Sequence, residues 1–188
     1  MKTIKILLGL GVIGALAGLG FLYSGIYPMG ADDEHTKPVY WALETLRERS
    51  IAVRSKDIAV PPLDDPQMLL SGGADYSDMC AGCHLRPGLE TSDIAMGLYP
   101  QPPNLTKRVA EYGDEATRAA QQFWIIKHGI KASGMPAWGK THDDGRIWAM
   151  VAFLQKLPQL DEAQYQILTA RAEPMSGHAE HTEEAMTP

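Results

Sequence analysis

The chain has 188 residues, enough for one ordinary domain with appendages, and its 45% hydrophobic content excludes a mainly disordered protein. The 17 Lys and Arg residues against 23 Asp and Glu residues exclude a strongly basic nucleic-acid-binding protein, so no nucleic-acid partner is expected. The net charge of −6 is uneven: +2 in residues 1–30, −3 in residues 31–66 (5 basic, 8 acidic), zero in residues 67–160 (9 and 9) and −5 in residues 161–188 (1 and 6). These four segments are the predicted units of the chain.

The first unit contains an uncharged run of 22 residues, 6–27. As a helix it would span ~33 Å, about the thickness of the hydrocarbon core of a bilayer. Lys2 and Lys5 precede the run and acidic residues follow it at 32–34. The positive-inside rule therefore predicts a transmembrane helix with a cytoplasmic N-terminus and the rest of the chain outside.

A cleaved signal peptide is the alternative, because Ala15 and Ala17 are small residues at the spacing of a cleavage site. Both interpretations export the remainder of the chain. We favour an uncleaved anchor over residues 1–30, because apolar sequence continues for ten residues beyond Ala17. Tyr23 and Tyr27 are then expected near the outer membrane interface.

Residues 31–66 are polar and contain Pro38, Pro61, Pro62 and Pro66, a composition typical of a spacer. Within it, Pro38 is predicted to open one helix of about four turns, whose basic end lies in solvent. Its apolar face is predicted from the helical spacing of four residues: Val39, Ala42, Leu43 and Leu46.

Both cysteines of the chain lie in one motif, Cys80-Ala81-Gly82-Cys83-His84. This is the attachment pattern of c-type haem, in which each thiol adds to a haem vinyl group and the adjacent His supplies a nitrogen to the iron. Residues three and four apart share one face of a helix, so a single turn presents both thiols and the imidazole to one porphyrin. The motif predicts one covalent haem c on Cys80 and Cys83, with His84 as an axial ligand.

Two other chemistries use paired cysteines. A thioredoxin-like dithiol needs a βαβ pattern around it, and no strand-like alternation of useful length occurs between residues 68 and 158. A zinc site needs two further ligands of suitable spacing. Neither alternative has support in the sequence, so covalent haem is favoured.

Met135 is the predicted sixth ligand of the iron. It lies between Gly134 and Pro136, 51 residues downstream of His84, in a loop whose fixed backbone can aim the thioether sulfur at the metal. The methionines in apolar stretches are interpreted as packing residues. His128 and His142 remain alternative ligands, and a second His would lower the reduction potential.

Four segments around the haem motif occur in a recognisable order. They are Gly72-x-x-x-Tyr76-x-x-x-Cys80, Tyr99-Pro100-Gln101-Pro102-Pro103-Asn104-Leu105, Phe123–Ile130 with Gly134-Met135-Pro136-Ala137-Trp138, and Ile147–Leu154. Over residues 68 to 158 this order resembles the monohaem class I cytochromes c, particularly the periplasmic domains of bacterial membrane-bound cytochromes.

The resemblance implies an all-α, class I cytochrome c-like domain around one covalent haem, over residues 67–160. It places Pro103 beside the haem, Trp138 in the haem environment and Phe153 near Gly72. Helical spacing of apolar residues in 123–130 and 147–154 predicts helices independently. The implied location is the bacterial inner membrane, with the haem domain in the periplasm.

An iron with two protein ligands has no open position for oxygen or peroxide, so it exchanges single electrons. The chain is therefore predicted to be an electron carrier rather than an enzyme, and Met ligation suits delivery to a respiratory acceptor such as a terminal oxidase. One alternative is the haem c subunit of a multi-subunit dehydrogenase or quinol-oxidising complex. Another is a haem enzyme or gas sensor, if Met135 is not a ligand.

Residues 116–140 contain Arg118, Lys127, Lys131 and Lys140 and no acid. We define these four side chains as the basic rim of the ligand loop. A local positive surface predicts docking onto an acidic patch of a redox partner.

The last unit, residues 161–188, begins with Asp161-Glu162-Ala163-Gln164, a helix start whose helix is predicted to dock through Ile167 and Leu168. After Arg171 the sequence is typical of a disordered acidic tail. Its two histidines lie among glutamates and are interpreted as solvated, with loose metal binding as the alternative: His178 and His181.

Overall fold

A computed structural model describes residues 2–107 and 113–171 of the chain. All regular secondary structure in these two ranges is helical, with two short 3-10 turns at Trp138–Lys140 and Leu157–Gln159. The acidic tail with His178 and His181 lies outside the described residues. The α-helices are α1 (Lys2–Ser24), α2 (Lys37–Ser55), α3 (Pro66–Met79), α4 (Ala81–His84), α5 (Asp93–Met96), α6 (Glu115–His128), α7 (Asp144–Lys156) and α8 (Glu162–Thr169).

Helix α1 is long and apolar enough to cross a membrane. Its 23 residues span about 35 Å, and none of its residues is buried against the rest of the chain. The helix ends three residues before the end of the predicted span 6–27, and Gly25 follows it with a φ of 66°, the left-handed conformation that terminates helices. Tyr27 therefore lies just beyond the helix end.

The segment after α1 folds back onto the rest of the chain. His35 Nδ1 lies 2.8 Å from Tyr27 Oη, and the two rings stack at 5.9 Å between centroids. The backbone N–H of His35 donates to Tyr99 Oη at 3.2 Å. We call this set of contacts the Tyr27–His35–Tyr99 bridge, and it joins the end of the apolar helix to the proline-rich segment after Tyr99.

Helix α2 begins beside Pro38, as predicted, but it runs for 19 residues and packs against α6. Ile51 and Ser55 of α2 are buried. On the predicted apolar face, Leu43 and Leu46 are 50% and 68% exposed. Residues 37–55 are therefore a docked helix rather than a free spacer, and residues 56–65, which include Pro61 and Pro62, form no helix or strand.

The core is centred on the crossing of α3 and α7. Gly72 lies against the backbone of Ala149, so close that a Cβ at position 72 would overlap the Ala149 carbonyl. The fully buried ring of Phe153 lies against Gly73, one residue from the position that the resemblance implied. Tyr76 packs on Phe153 with ring centroids 5.4 Å apart.

Two polar features hold the C-terminal helices in place. Arg146 of α7 donates two hydrogen bonds to the buried Asp75 carboxylate of α3, at 2.6 and 2.8 Å. Asp161 and Gln164 form a capping box at the start of α8. This helix docks on α3 through the buried Tyr165 and the half-buried Leu168, whereas Ile167, predicted to dock, is 71% exposed.

Candidate haem site

All six predicted site residues line one cavity of about 420 Å³. Its remaining walls are mainly apolar or uncharged, with leucines, isoleucines and prolines from several elements. The six residues are Cys80, Cys83, His84, Pro103, Met135 and Trp138.

The cysteine motif forms the single helical turn that its spacing predicted. Helix α3 ends at Met79, and α4 continues the chain from Ala81 to His84, with the His84 N–H donating to the Cys80 carbonyl at 2.8 Å. Ser92, at the start of α5, donates its hydroxyl to the Gly82 carbonyl at 2.6 Å. The turn is thus fixed from outside by a second helix.

The imidazole of His84 has a defined orientation. Its Nδ1 lies 2.9 Å from the Pro103 carbonyl, which can only accept a hydrogen bond, so Nδ1 carries the proton. Burial lowers the pKa of His84, which favours the neutral ring, and the hydrogen bond to Pro103 opposes this more weakly. The other nitrogen, Nε2, then has a lone pair for a metal.

The backbone of His84 is held as firmly as its ring. Tyr76 donates its buried hydroxyl to the Leu85 carbonyl at 2.6 Å and lies 3.3 Å from the His84 carbonyl. The Leu105 N–H donates to the same His84 carbonyl at 3.2 Å. Tyr76 therefore positions the motif, a role that the sequence did not indicate beyond its place in the α3 pattern.

The Met135 loop is closed by its own backbone. The Ile130 N–H donates to the Met135 carbonyl at 3.2 Å, and the Met135 N–H donates to Ser133 Oγ at 3.1 Å. Gly129 permits this return with a φ of 63°, and a Cβ there would lie 2.7 Å from the Met135 carbonyl oxygen. The loop thus holds Met135 at the cavity wall.

The two alternative ligands lie away from the cavity. His128 lines an adjoining groove on the other side of the ligand loop. His142 packs behind Trp138, with ring centroids 5.3 Å apart, and its Nδ1 lies 2.8 Å from Thr141 Oγ1. Neither His lines the cavity that holds Cys80 and Cys83.

Burial raises the pKa of the Cys80 thiol to about 12, which disfavours the thiolate that a redox dithiol requires. In residues 2–107 and 113–171, no group of three or more His, Cys, Asp and Glu side chains is arranged to hold a metal ion.

One wall of the cavity was missed by sequence reasoning. Tyr40, Arg47, Glu48 and Ile51 of α2 line it, although α2 lies before the haem motif in a segment predicted as a spacer. A helical stripe with mixed polarity runs along α2, and hydrophobic periodicity does not detect such a stripe. The sequence feature that could have revealed this wall is the helical spacing of positions 40, 44, 47, 51 and 55.

Residues 67–154 match the family described as cytochrome C oxidase, cbb3-type, subunit III. This segment is a class I monohaem cytochrome c domain. The all-α fold predicted from the sequence is confirmed. Searches of curated proteins and of solved structures found no match to the chain.

The cytochrome c domain carries a covalently bound haem c, and Cys80 and Cys83 fit its attachment motif. The cavity fits this group, because its walls are largely apolar and it presents two thiols together with an imidazole Nε2. The domain is an electron-transfer module, and the apolar helix α1 is compatible with a membrane anchor. Helix α2 lies outside the matched residues.

Proposed function

We propose that the chain is a membrane-anchored c-type cytochrome that carries single electrons to or from a respiratory redox partner, with His84 and Met135 as the axial ligands of the haem iron. One observation carries this proposal: His84 and Met135 line the same cavity as the two attachment cysteines. A haem held by two protein ligands supplies one-electron exchange and leaves no position for a substrate on the iron.

The residues around the cavity support this role by holding the ligands still. Pro103 fixes the tautomer of His84, and Ile130 and Ser133 fix the backbone of Met135. Electron transfer proceeds with least reorganisation when the ligands keep their positions in both oxidation states. Trp138 and apolar residues of the cavity wall surround the same space.

The proposed topology has four parts: an anchor in residues 1–30, a linker with α2 in residues 31–66, the haem domain in residues 67–160 and an acidic tail in residues 161–188. The charge asymmetry around α1 supports a cytoplasmic N-terminus and a haem domain in the periplasm. The protein is thus assigned to the bacterial inner membrane.

A terminal oxidase is the favoured partner, because the matched family is described as a subunit of a cbb3-type cytochrome c oxidase. The basic rim supports docking onto an acidic patch, but it is smaller than the sequence predicted. Lys127 forms an ion pair with Asp144, at 2.6 Å. Lys131 and Lys140 are exposed and have no ion pair with any described residue.

The test of the axial ligand is the replacement Met135→Ala, with Met96→Ala as its control. Met96 is 62% exposed and does not line the cavity. We expect the purified wild-type protein to show a low-spin spectrum with the Met-to-iron band and to bind no carbon monoxide when reduced. Met135→Ala should lose the band, bind carbon monoxide and have a lower reduction potential, whereas Met96→Ala should resemble wild type.

Ready binding of carbon monoxide to the reduced wild-type protein would contradict Met135 ligation. It would instead support a haem enzyme or gas sensor. The replacements His128→Gln and His142→Gln complete the set, because a His ligand would be revealed by the loss of a low-spin spectrum in one of them.

A permanent subunit of a larger complex is the second candidate function, favoured by the description of the matched family. The partner would be an oxidase or, as the sequence alone also allowed, a dehydrogenase or quinol-oxidising complex. Purification of the full chain in a mild detergent discriminates the two: stoichiometric copurification of other subunits supports the subunit, and isolation of the chain alone supports the free carrier.

A further inference from the structure

Helix α2 supplies a wall of the haem cavity from outside the cytochrome c domain. Tyr40, Arg47 and Ile51 line the same cavity as Cys80 and Cys83, although the family match begins only at residue 67. The helix is held there by packing on α6, with Ile51 only 5% exposed. A structural element of this chain thus faces the cofactor in addition to the domain that binds it.

The charges on the cavity wall are few. Among the described residues that line it, Arg47 is the only Lys or Arg, and Glu48 is the only Asp or Glu. Haem c brings two propionate carboxylates of its own, on the side of the porphyrin remote from the vinyl groups. A carboxylate shielded from water is costly unless a cation or hydrogen-bond donors meet it.

Arg47 lies on a different wall of the cavity from the attachment cysteines. The vinyl side is fixed at Cys80 and Cys83, on the turn that follows α3. Arg47 projects from α2, which packs on α6 instead. The cation and the attachment cysteines therefore occupy walls built from different helices.

The guanidinium of Arg47 has N–H donors beyond those that its two neighbouring carboxylates use. Its Nε lies 2.9 Å from Glu48 Oε1, and one terminal nitrogen lies 3.6 Å from Glu44 Oε1. No described residue pairs with the other terminal nitrogen, Nη1. The side chain is 30% exposed, so it is oriented by its two neighbours without being enclosed by them. Arginine has five N–H donors in a rigid fork, the geometry that binds a carboxylate through two bonds.

We propose that Arg47 binds a haem propionate, so that α2 contributes a cofactor-binding residue to the haem pocket. The proposal rests on the proposed binding of haem in this cavity. A cation beside the haem favours the reduced form, because the reduced iron centre has one positive charge fewer. Arg47 would therefore raise the reduction potential of the cytochrome.

The test compares Arg47→Gln with Arg49→Gln in the full-length, haem-loaded protein. Arg49 lies on the same helix and has the same charge, but it is exposed and does not line the cavity. Redox-difference infrared spectra of protein with ¹³C-labelled haem propionates report the carboxylate directly, and electrochemical titration reports the midpoint potential.

Arg47→Gln should shift the labelled carboxylate band and reduce the ratio of reduced to oxidised haem at a fixed potential by roughly three- to tenfold. A tenfold change corresponds to 59 mV for a one-electron couple. Arg49→Gln should leave the band in place and change the ratio by less than about twofold, because an exposed charge is screened by salt. An unshifted band in haem-loaded Arg47→Gln would overturn the proposal.

Arg47→Lys keeps the test decisive if Arg47→Gln fails to incorporate haem. Lysine retains the charge but not the fork, so the labelled band should shift while the potential stays near that of wild type. An unshifted band in Arg47→Lys would overturn the proposal. The adjoining groove is lined by three other cations, Arg54, Lys127 and Lys131. The propionate would be assigned to this groove if the band shifted in Arg54→Gln, Lys127→Gln or Lys131→Gln and in neither Arg47 variant.

These outcomes are separate from those of the proposed function. The Met-to-iron band and carbon monoxide binding test the axial ligand, and neither depends on Arg47. A cytochrome with the predicted ligands and no effect at Arg47 would remove only the present inference.

Discussion

At the scale of single residues, the surroundings of His84 explain why the motif has one conformation. The ring donates to Pro103, and the carbonyl of His84 accepts from both Tyr76 and Leu105. These contacts come from α3 and from the loop that contains Pro103 and Leu105. The position of the imidazole is therefore set by tertiary structure as well as by the spacing of the motif.

Tyr76→Phe is predicted to destabilise the haem-loaded protein by about 1–3 kcal/mol, because it leaves the buried Leu85 carbonyl without its 2.6 Å hydrogen bond. Urea unfolding followed at the haem absorption band measures the change. The control is Tyr40→Phe, whose hydroxyl bonds to the exposed Glu44 and whose loss should cost less than about 0.5 kcal/mol. Equal effects of the two replacements would contradict the positioning role of Tyr76.

The cysteine motif could be predicted because its chemistry is local in sequence. Cys80, Cys83 and His84 lie within one helical turn, so their spacing alone limits what they can bind. The partners of His84 could not be predicted in the same way. Pro103 and Leu105 reach it through a loop, and no periodicity connects positions 84 and 103.

At the scale of elements, the crossing of α3 and α7 determines where the haem motif sits, because α3 runs directly into α4. The crossing is close enough that residue 72 must lack a side chain. The resemblance implied that Phe153 lies near Gly72, and the Phe153 ring lies against the adjacent Gly73.

Gly72→Ala is predicted to destabilise the protein by about 3 kcal/mol or more, because the new Cβ would overlap the Ala149 carbonyl and force the helices apart. Gly145→Ala is the matched control. Position 145 is exposed in the first turn of α7, and the nearest atom to a new Cβ there is Asp143 Oδ1 at 3.4 Å. The control should be neutral or stabilising by up to ~1 kcal/mol, and thermal unfolding compares the two. A neutral Gly72→Ala would show that the crossing is looser than described.

The stability of the crossing of α3 and α7 depends on pH through Asp75. The hydrogen bonds from Arg146 hold the pKa of the Asp75 carboxyl below its usual value, more than burial raises it. Because the folded-state pKa is lowered, the stabilisation is complete above the unfolded-state pKa of about 4 and is lost as the pH falls through the folded-state value.

Asp75→Asn should therefore cost about 2 kcal/mol at pH 7, and the difference from wild type should shrink as the pH is lowered below about 4. Urea unfolding at pH 7 and at pH 3 measures both. Asp78→Asn, at a carboxylate that is 53% exposed and paired with Arg171, should cost less than about 1 kcal/mol at either pH. A constant difference between wild type and Asp75→Asn across this range would rule out the ionised carboxylate as the cause.

Helix α2 shows where prediction from the sequence failed. Its existence follows from Pro38 and helical spacing, but the residues that line the cavity form the mixed stripe of Tyr40, Arg47 and Ile51 rather than the more apolar one. Which face of α2 meets the cavity depends on its contact with α6, and hydrophobic periodicity along α2 does not report that contact.

At the scale of the whole molecule, the net charge of −6 describes no single surface. The acidic tail and linker account for it, whereas the surface beside the ligand loop presents Lys131 and Lys140. Lys127, counted as part of the basic rim, is neutralised by Asp144 from the next helix. Such a pairing between distant segments is visible only in the folded chain.

The double replacement Lys131→Glu and Lys140→Glu is predicted to slow electron transfer to the partner about tenfold at low ionic strength, with the difference fading as salt is added. Stopped-flow oxidation by membranes that contain the proposed oxidase partner measures this rate. Lys107→Glu is the control, because Lys107 is outside the basic rim and is already paired with Glu90 at 2.8 Å. A wild-type rate that does not change with ionic strength would dismiss an acidic docking patch.

The Tyr27–His35–Tyr99 bridge has a consequence for how the molecule searches for its partner. Only 12 residues separate α1 from α2, a reach of ~40 Å when fully extended, and the bridge shortens it further. In the proposed topology, the haem then stays within a thin layer above the bilayer. The protein then meets its partner by lateral diffusion in two dimensions. The effective concentration of the partner depends on its surface density in the membrane rather than on the volume of the compartment.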